Sequence, residues 1–119
     1  MSKYTILHNP RCSKSREALK ILEENGIIAD IMKYLDERPS VAQLKKIIQM
    51  LNLQSARDMM RTKETIYKEL DLKNETDEEK LIEAMVAHPK LIERPIIIKD
   101  DKEAIIARPP EKTKEFLEA

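Results

Sequence analysis

The stretch Tyr4-Thr5-Ile6-Leu7-His8-Asn9-Pro10-Arg11-Cys12-Ser13-Lys14-Ser15-Arg16 decides how the chain folds. Tyr4–Leu7 is short and β-prone, and it stops at His8-Asn9-Pro10, so it reads as a strand running into a loop. From Ser13 to Asn25 the apolar residues Ala18, Leu19, Ile21 and Leu22 fall on one helical stripe. Asn25-Gly26 ends that helix, with the glycine placed to supply a left-handed cap. Ile27–Leu35 returns as a second strand. Strand, helix, strand within about 30 residues is a βαβ unit, and its strands should be parallel with a right-handed crossover.

Downstream the pattern turns helical. Ser40 with Gln43 makes a capping box ahead of the stripe Leu44, Ile47, Ile48 and Leu51. Ser55 with Asp58 reads as another helix start, leading into Ala56–Arg61, and Thr65–Leu70 as a further short helix. Thr76 with Glu79 caps a fourth helix, whose stripe is Leu81, Ile82, Met85 and Val86 and whose end is His88-Pro89. Ile96-Ile97-Ile98 is a buried strand, Asp100-Asp101 a turn, and Ala104–Ala107 the hairpin partner. Pro109-Pro110 opens a last helix through Phe116 and Leu117. A βαβ half and a ββα half around one small mixed sheet make an α/β, thioredoxin-like arrangement. The chain reads as a single domain, 1–119, with a helical insertion at about 40–90 between the halves.

Composition narrows the functions available. The 119 residues are 41% hydrophobic and 37% charged, enough apolar material for a core under a heavily charged surface. Formal net charge is zero, so no broad basic field gathers nucleic acid or anionic lipid. The lone glycine, Gly26, excludes the Gly-rich phosphate cradles, which need several. No apolar run approaches the roughly 20 residues of a membrane span. Met1-Ser2-Lys3-Tyr4 lacks the apolar run of a secretory signal. One cysteine forms no internal disulfide, which points to a reducing, cytoplasmic home. One thiol and two histidines do not build an ordinary structural zinc site, so no metal is expected. Monomer is the default state.

Cys12 is the chemically informative residue. It sits where a strand hands over to a helix, so free backbone N–H groups and the positive end of the helix dipole face its sulfur. Arg11, Lys14 and Arg16 add positive charge, and His8 on the same loop is placed to offer a hydrogen bond or charge. These neighbours are polar and basic, unlike those of an inert core thiol. Thioredoxin-type C-x-x-C chemistry uses a second cysteine to resolve the first, but here Ser15 stands at that place. A redox Cys12 therefore needs a resolving thiol from outside, either a small thiol or a partner protein. A cysteine-phosphatase loop needs C-x₅-R, and position 18 is Ala18.

His8–Arg16, Tyr34-Leu35, Ala56–Arg61, His88-Pro89, Glu93-Arg94-Pro95-Ile96 and Ala107-Arg108-Pro109, in this order and at these separations, resemble the glutaredoxin-linked arsenate reductase family, the ArsC-like proteins of the thioredoxin superfamily. The resemblance covers essentially the whole chain and is closest to the short bacterial branch. It implies Cys12 as nucleophile, His8 as the histidine that helps activate the thiolate, and Arg61, Arg94 and Arg108 as anion-binding residues. Asn9, Ser15, Arg16 and Pro95 support them, and Arg94-Pro95 matches the dipeptide whose proline is cis in thioredoxin-like folds. The implied substrate is arsenate or a similar oxyanion. Glutathione is the implied co-substrate and glutaredoxin the partner, with no bound cofactor. Two other readings stay open. One is a glutathione-linked thiol oxidoreductase acting on another substrate. The other is a non-enzymatic thioredoxin-like regulator that binds RNA polymerase, against which Ser15 in place of a second cysteine argues.

Overall fold

In the computed structural model, β1 (Tyr4–Leu7) lies inside a mixed sheet of order β2-β1-β3-β4. It runs parallel to β2 (Asp30–Met32) and antiparallel to β3 (Ile96–Lys99), which pairs antiparallel with β4 (Glu103–Ile106). The structure describes residues 3–118; Met1, Ser2 and Ala119, the ends of the expected domain, lie outside the described residues. Residues 3–37 and 94–118 form one compact unit, and residues 38–93 form another.

In the first unit, α1 (Ser13–Glu24) carries the crossover that makes β1 and β2 parallel. Its Ala18 and Leu22 are fully buried in a cluster with Tyr4, Ile6, Ile97 and Ala107. Ile6 pairs directly with Ile97, so the two branched side chains share one face of the sheet. Full burial of each such side chain stabilises the fold by about 1.5–3 kcal/mol. Phe116 and Leu117 of α6 (Lys112–Glu118) close over this cluster, with the Phe116 ring edge-on to Tyr4 at 6.5 Å. Gly26 adopts φ +74 and completes a Schellman cap: its N–H bonds Glu23 O, and Ile27 N–H bonds Leu22 O, both at 3.0 Å. A mixed sheet between a βαβ and a ββα half, flanked by helices, is the thioredoxin-like fold.

The second unit is helical. α3 (Val41–Met50) starts at the capping box of Ser40 and Gln43 and buries Leu44 and Ile47. α4 (Thr65–Glu69) buries Tyr67. α5 (Glu78–Ala87) packs on α3 and buries Leu81, Ile82 and Met85.

Three boundaries depart from the sequence reading. The strand expected over Ile27–Leu35 is confined to Asp30–Met32, and Tyr34–Glu37 winds into a short helix, α2. Ile28 is 99% exposed although Ile27 and Ala29 on either side of it pack against the core, and at the other end the N–H groups of Asp36 and Glu37 turn back to Lys33 O at 2.9 Å. The helix expected over Ala56–Arg61 is a 3-10 turn, Ala56–Met59, because Ser55 caps Arg57 N–H and Met60 is already extended. The cap of α5 is Asp77, which accepts from Glu79 N–H, rather than Thr76. Glu78 is drawn into long-range bonds instead, accepting from Ser55 Oγ at 2.8 Å and Ala56 N–H at 2.7 Å.

Candidate active site

The loop before Cys12 is built by its own side chains. Asn9 and Pro10 occupy the first two positions of a turn, which Cys12 N–H closes onto Asn9 O at 3.0 Å. Asn9 Oδ1 accepts from Arg11 N–H at 3.0 Å, a side-chain turn inside the backbone turn. Arg16 reaches back from the helix and donates from Nη1 to Pro10 O at 2.9 Å. The loop thus delivers Cys12 as the N-cap of α1, in extended conformation, with its carbonyl accepting the first helical bond from Arg16 N–H.

The capping position decides the chemistry of the sulfur. Partial burial disfavours the thiolate and pushes the pKa up. The N–H of Ser15, the Arg94 guanidinium and the N–H of Lys14 pull it down and together prevail, so the Cys12 thiol sits below its ordinary value. Lys14 and Ser15 are the second and third residues of the helix, the two whose N–H groups a cap side chain meets. Arg11 and Arg16, expected to add charge here, are not among the groups that move this thiol.

His8 and Ser15 form a buried pair below the sulfur. Ser15 is fully buried, and its Oγ lies 2.7 Å from His8 Nδ1 and 3.1 Å from Asn9 N. The hydroxyl accepts from Asn9 N–H, which leaves its proton to donate to His8 Nδ1; this suits a neutral imidazole protonated on Nε2. Burial, then the charges of Lys33 and Arg16, hold the His8 pKa below its usual value. His8 therefore fixes Ser15, and Ser15 N–H acts on the sulfur; no histidine charge is among the groups acting on Cys12.

Arg94 and Arg108 come from the two flanks of the β3–β4 hairpin. The Arg94 guanidinium is beside both Cys12 and the hydroxyl of Tyr34, and these neighbours outweigh burial to raise its pKa. Arg94 Nε is buried and has no hydrogen-bond partner among the described residues. Arg108 donates from Nη1 to Arg94 O at 3.1 Å, which places the two arginines side by side. The Arg94–Pro95 peptide is cis, and so is Arg108–Pro109. Arg61 belongs to the helical unit, where its Nε lies 3.9 Å from Glu64 and 4.0 Å from Glu93. Its Nη1 is buried without a hydrogen-bond partner among the described residues. Tyr34 was not singled out for the site by sequence reasoning. The signal available was a tyrosine in an apolar segment, since a buried phenol needs a polar neighbour.

Among the described residues, no group of three or more His, Cys, Asp or Glu side chains is placed to hold a metal ion. None of their helices is long and apolar enough to cross a membrane. The arrangement is thus a thiol of lowered pKa capped by backbone N–H groups, beside a guanidinium with an unused donor among the described residues: a corner chemically able to favour a thiolate and to accept an anion.

Known proteins share this frame. The family model for the ArsC family matches residues 7–116. An arsenate reductase of Neisseria meningitidis is 51% identical over 112 residues, 93% of this chain and 95% of its own. The solved structure of an arsenate reductase from Vibrio cholerae superposes with a TM-score of 0.91 at 48% identity, covering 95% of this chain and 96% of that one. A putative arsenate reductase from Yersinia pestis gives 0.90 at 47% identity, covering 95% of this chain and 99% of that one. A thioredoxin-like sheet, a lone thiol at a helix N-cap and a match running nearly end to end lead to one assignment: the chain belongs to the ArsC family.

Proposed function

We propose that the protein is an arsenate reductase that draws its electrons from glutathione and glutaredoxin. The observation that carries the reading is the Cys12 sulfur at the N-cap of α1, with Arg94 beside it and Arg108 held against Arg94.

The Cys12 thiolate attacks arsenic(V); the S–As bond forms, an arsenic–oxygen bond breaks, and the oxygen leaves as water after taking up protons. Arg94 and Arg108 hold the oxyanion and stabilise the charge that builds on its oxygens. The ArsC resemblance gives Arg61 the same role. Glutathione then adds through its sulfur to arsenic, with loss of a second water. A glutaredoxin thiolate attacks the glutathione sulfur, a glutaredoxin–glutathione disulfide forms, and the two electrons of the S–As bond reduce arsenic to the trivalent state. Hydrolysis releases arsenite and returns the Cys12 thiolate. His8 and Ser15 are positioning residues, keeping the third N–H of the helix on the sulfur throughout.

The experiment is an NADPH-coupled assay with arsenate, glutathione, glutaredoxin and glutathione reductase. Wild-type protein turns over and Cys12→Ser does not; equal rates for the two overturn the reading. A second reading keeps the nucleophile and replaces arsenate by a glutathione mixed disulfide, which the absence of an internal resolving thiol favours. Parallel assays with arsenate and glutathionylated disulfides separate the two.

A further inference from the structure

The loop that delivers Cys12 also walls a second feature. A cleft of about 320 Å³ is lined by the loop residues His8 to Arg11 and by Lys33, Leu35 and Asp36. Cys12 and Arg94 do not line it, so it is distinct from the anion-binding corner. Arg11, Lys33 and Asp36 are exposed, while His8 and Asn9 are buried. The fixed charges around the cleft are therefore two cations and one anion. His8 adds none near neutral pH, because burial, Lys33 and Arg16 keep its imidazole uncharged. Pro10 and Leu35 supply apolar wall between them.

A ligand complementary to this lining carries two carboxylates, one ammonium group and a short aliphatic body. Position adds a second constraint. Arg11 is covalently adjacent to Cys12, so their Cα atoms stand about 3.8 Å apart, and two or three extended residues span about 7–10 Å. A peptide of that size is long enough to extend from beside Arg11 past Cys12.

We propose that this cleft seats the thiol co-substrate, a small peptide thiol with the charge inventory of glutathione, its two carboxylates on Lys33 and Arg11 and its ammonium group on Asp36. The proposal rests on the reading of Cys12 as a nucleophile resolved by glutathione, and it adds the residues that recognise that thiol.

The test uses the full chain and needs no arsenate. Cys12 thiolate attacks oxidised glutathione: its S–S bond breaks, a Cys12–glutathione disulfide forms, and one glutathione thiolate leaves, with no net change in oxidation state. The uncharged hydroxyethyl disulfide undergoes the same exchange and corrects for any change in the reactivity of Cys12 itself. Initial rates by intact mass spectrometry give the ratio of the two. Lys33→Glu lowers that ratio about fivefold and Lys33→Gln by less, as expected for exposed charge pairs. Lys20→Glu, an equal charge reversal on α1 at a residue outside the lining, leaves it unchanged. Raising the salt concentration shrinks the wild-type ratio. The proposal is overturned by a ratio that Lys33→Glu does not move, by an equal fall in Lys20→Glu, or by failure of Cys12 to exchange with either disulfide. A ratio that Lys33→Glu does not move, in a protein that reduces arsenate, defeats the cleft alone. Charge preference without arsenate reduction supports the cleft and defeats the arsenate reading.

Discussion

Arg57 and Arg94 are both half-buried guanidinium groups, one in each unit. Arg57 is tied down: it donates to Tyr67 Oη, to Leu72 O and to Glu75 O, and so joins the 3-10 turn to α4 and the segment after it. Arg94 keeps a buried Nε without a hydrogen-bond partner among the described residues and lies beside a thiol. Burying an unsatisfied donor costs about 1–3 kcal/mol. One arginine is spent on its own fold, and the other keeps a donor available for a guest, as the proposed function requires.

The largest expected effect lies on the reactive side of that pair. Cys12→Ser lowers arsenate-dependent turnover by more than about a thousandfold, since no other group supplies the nucleophile. Circular dichroism that shows a native fold in that variant keeps the loss chemical. Next, Arg94→Ala lowers kcat/KM for arsenate about a hundredfold while the thermal midpoint scarcely moves. Arg57→Ala does the reverse: it costs about 2–3 kcal/mol in urea unfolding and leaves kcat/KM per folded molecule close to wild type. If Arg57→Ala loses as much specific activity as Arg94→Ala, the comparison breaks.

A smaller effect sharpens it. Ser15→Ala strands His8 Nδ1 and Asn9 N–H in the interior, costing about 1–3 kcal/mol of stability, and it slows Cys12 alkylation at neutral pH. The smallest effects are in pH. The folded thiol titrates below its ordinary value, so its ionisation stabilises the fold fully above that ordinary value, and the contribution fades as pH falls through the folded value. The stability gap between wild type and Cys12→Ser therefore widens as the solution is made alkaline, and denaturant titrations across pH read it directly. His8 works on the acid side. Its folded pKa is depressed, so the unfolded chain takes up the proton first, and stability is lost as pH falls below the ordinary histidine value. His8→Gln flattens that acid slope.

Much of the scaffold was legible because its signals are local. The Ser40–Gln43 box, the Gly26 cap and the Ile96–Ile98 run each announce themselves within a few residues, and all three stand in the structure. The failures fall where long-range contacts compete with local preference. Ile27–Leu35 has strand composition, yet only Asp30–Met32 finds a partner, because β1 is four residues long and is the sole strand beside it. Thr76 and Asp77 are both competent caps, and the choice between them depends on Glu78 being held by Ser55, 23 residues away. In the site, Cys12 was legible from its loop and helix. The part played by Tyr34 was not, since a tyrosine at the start of a short helix and an arginine sixty residues later carry no shared local pattern. Nor were Lys33 and Asp36, which meet the Cys12 loop only through the turn after β2.

Ser15 occupies the place where two-thiol relatives of the fold keep their second sulfur, and it has no slack. Its side chain is sealed from solvent and bonded to both an imidazole and a main-chain amide, partners that the larger, poorly accepting sulfur of a cysteine would serve badly. Installing a second thiol here is therefore not a one-residue edit: the histidine and the asparagine turn would have to be rebuilt with it.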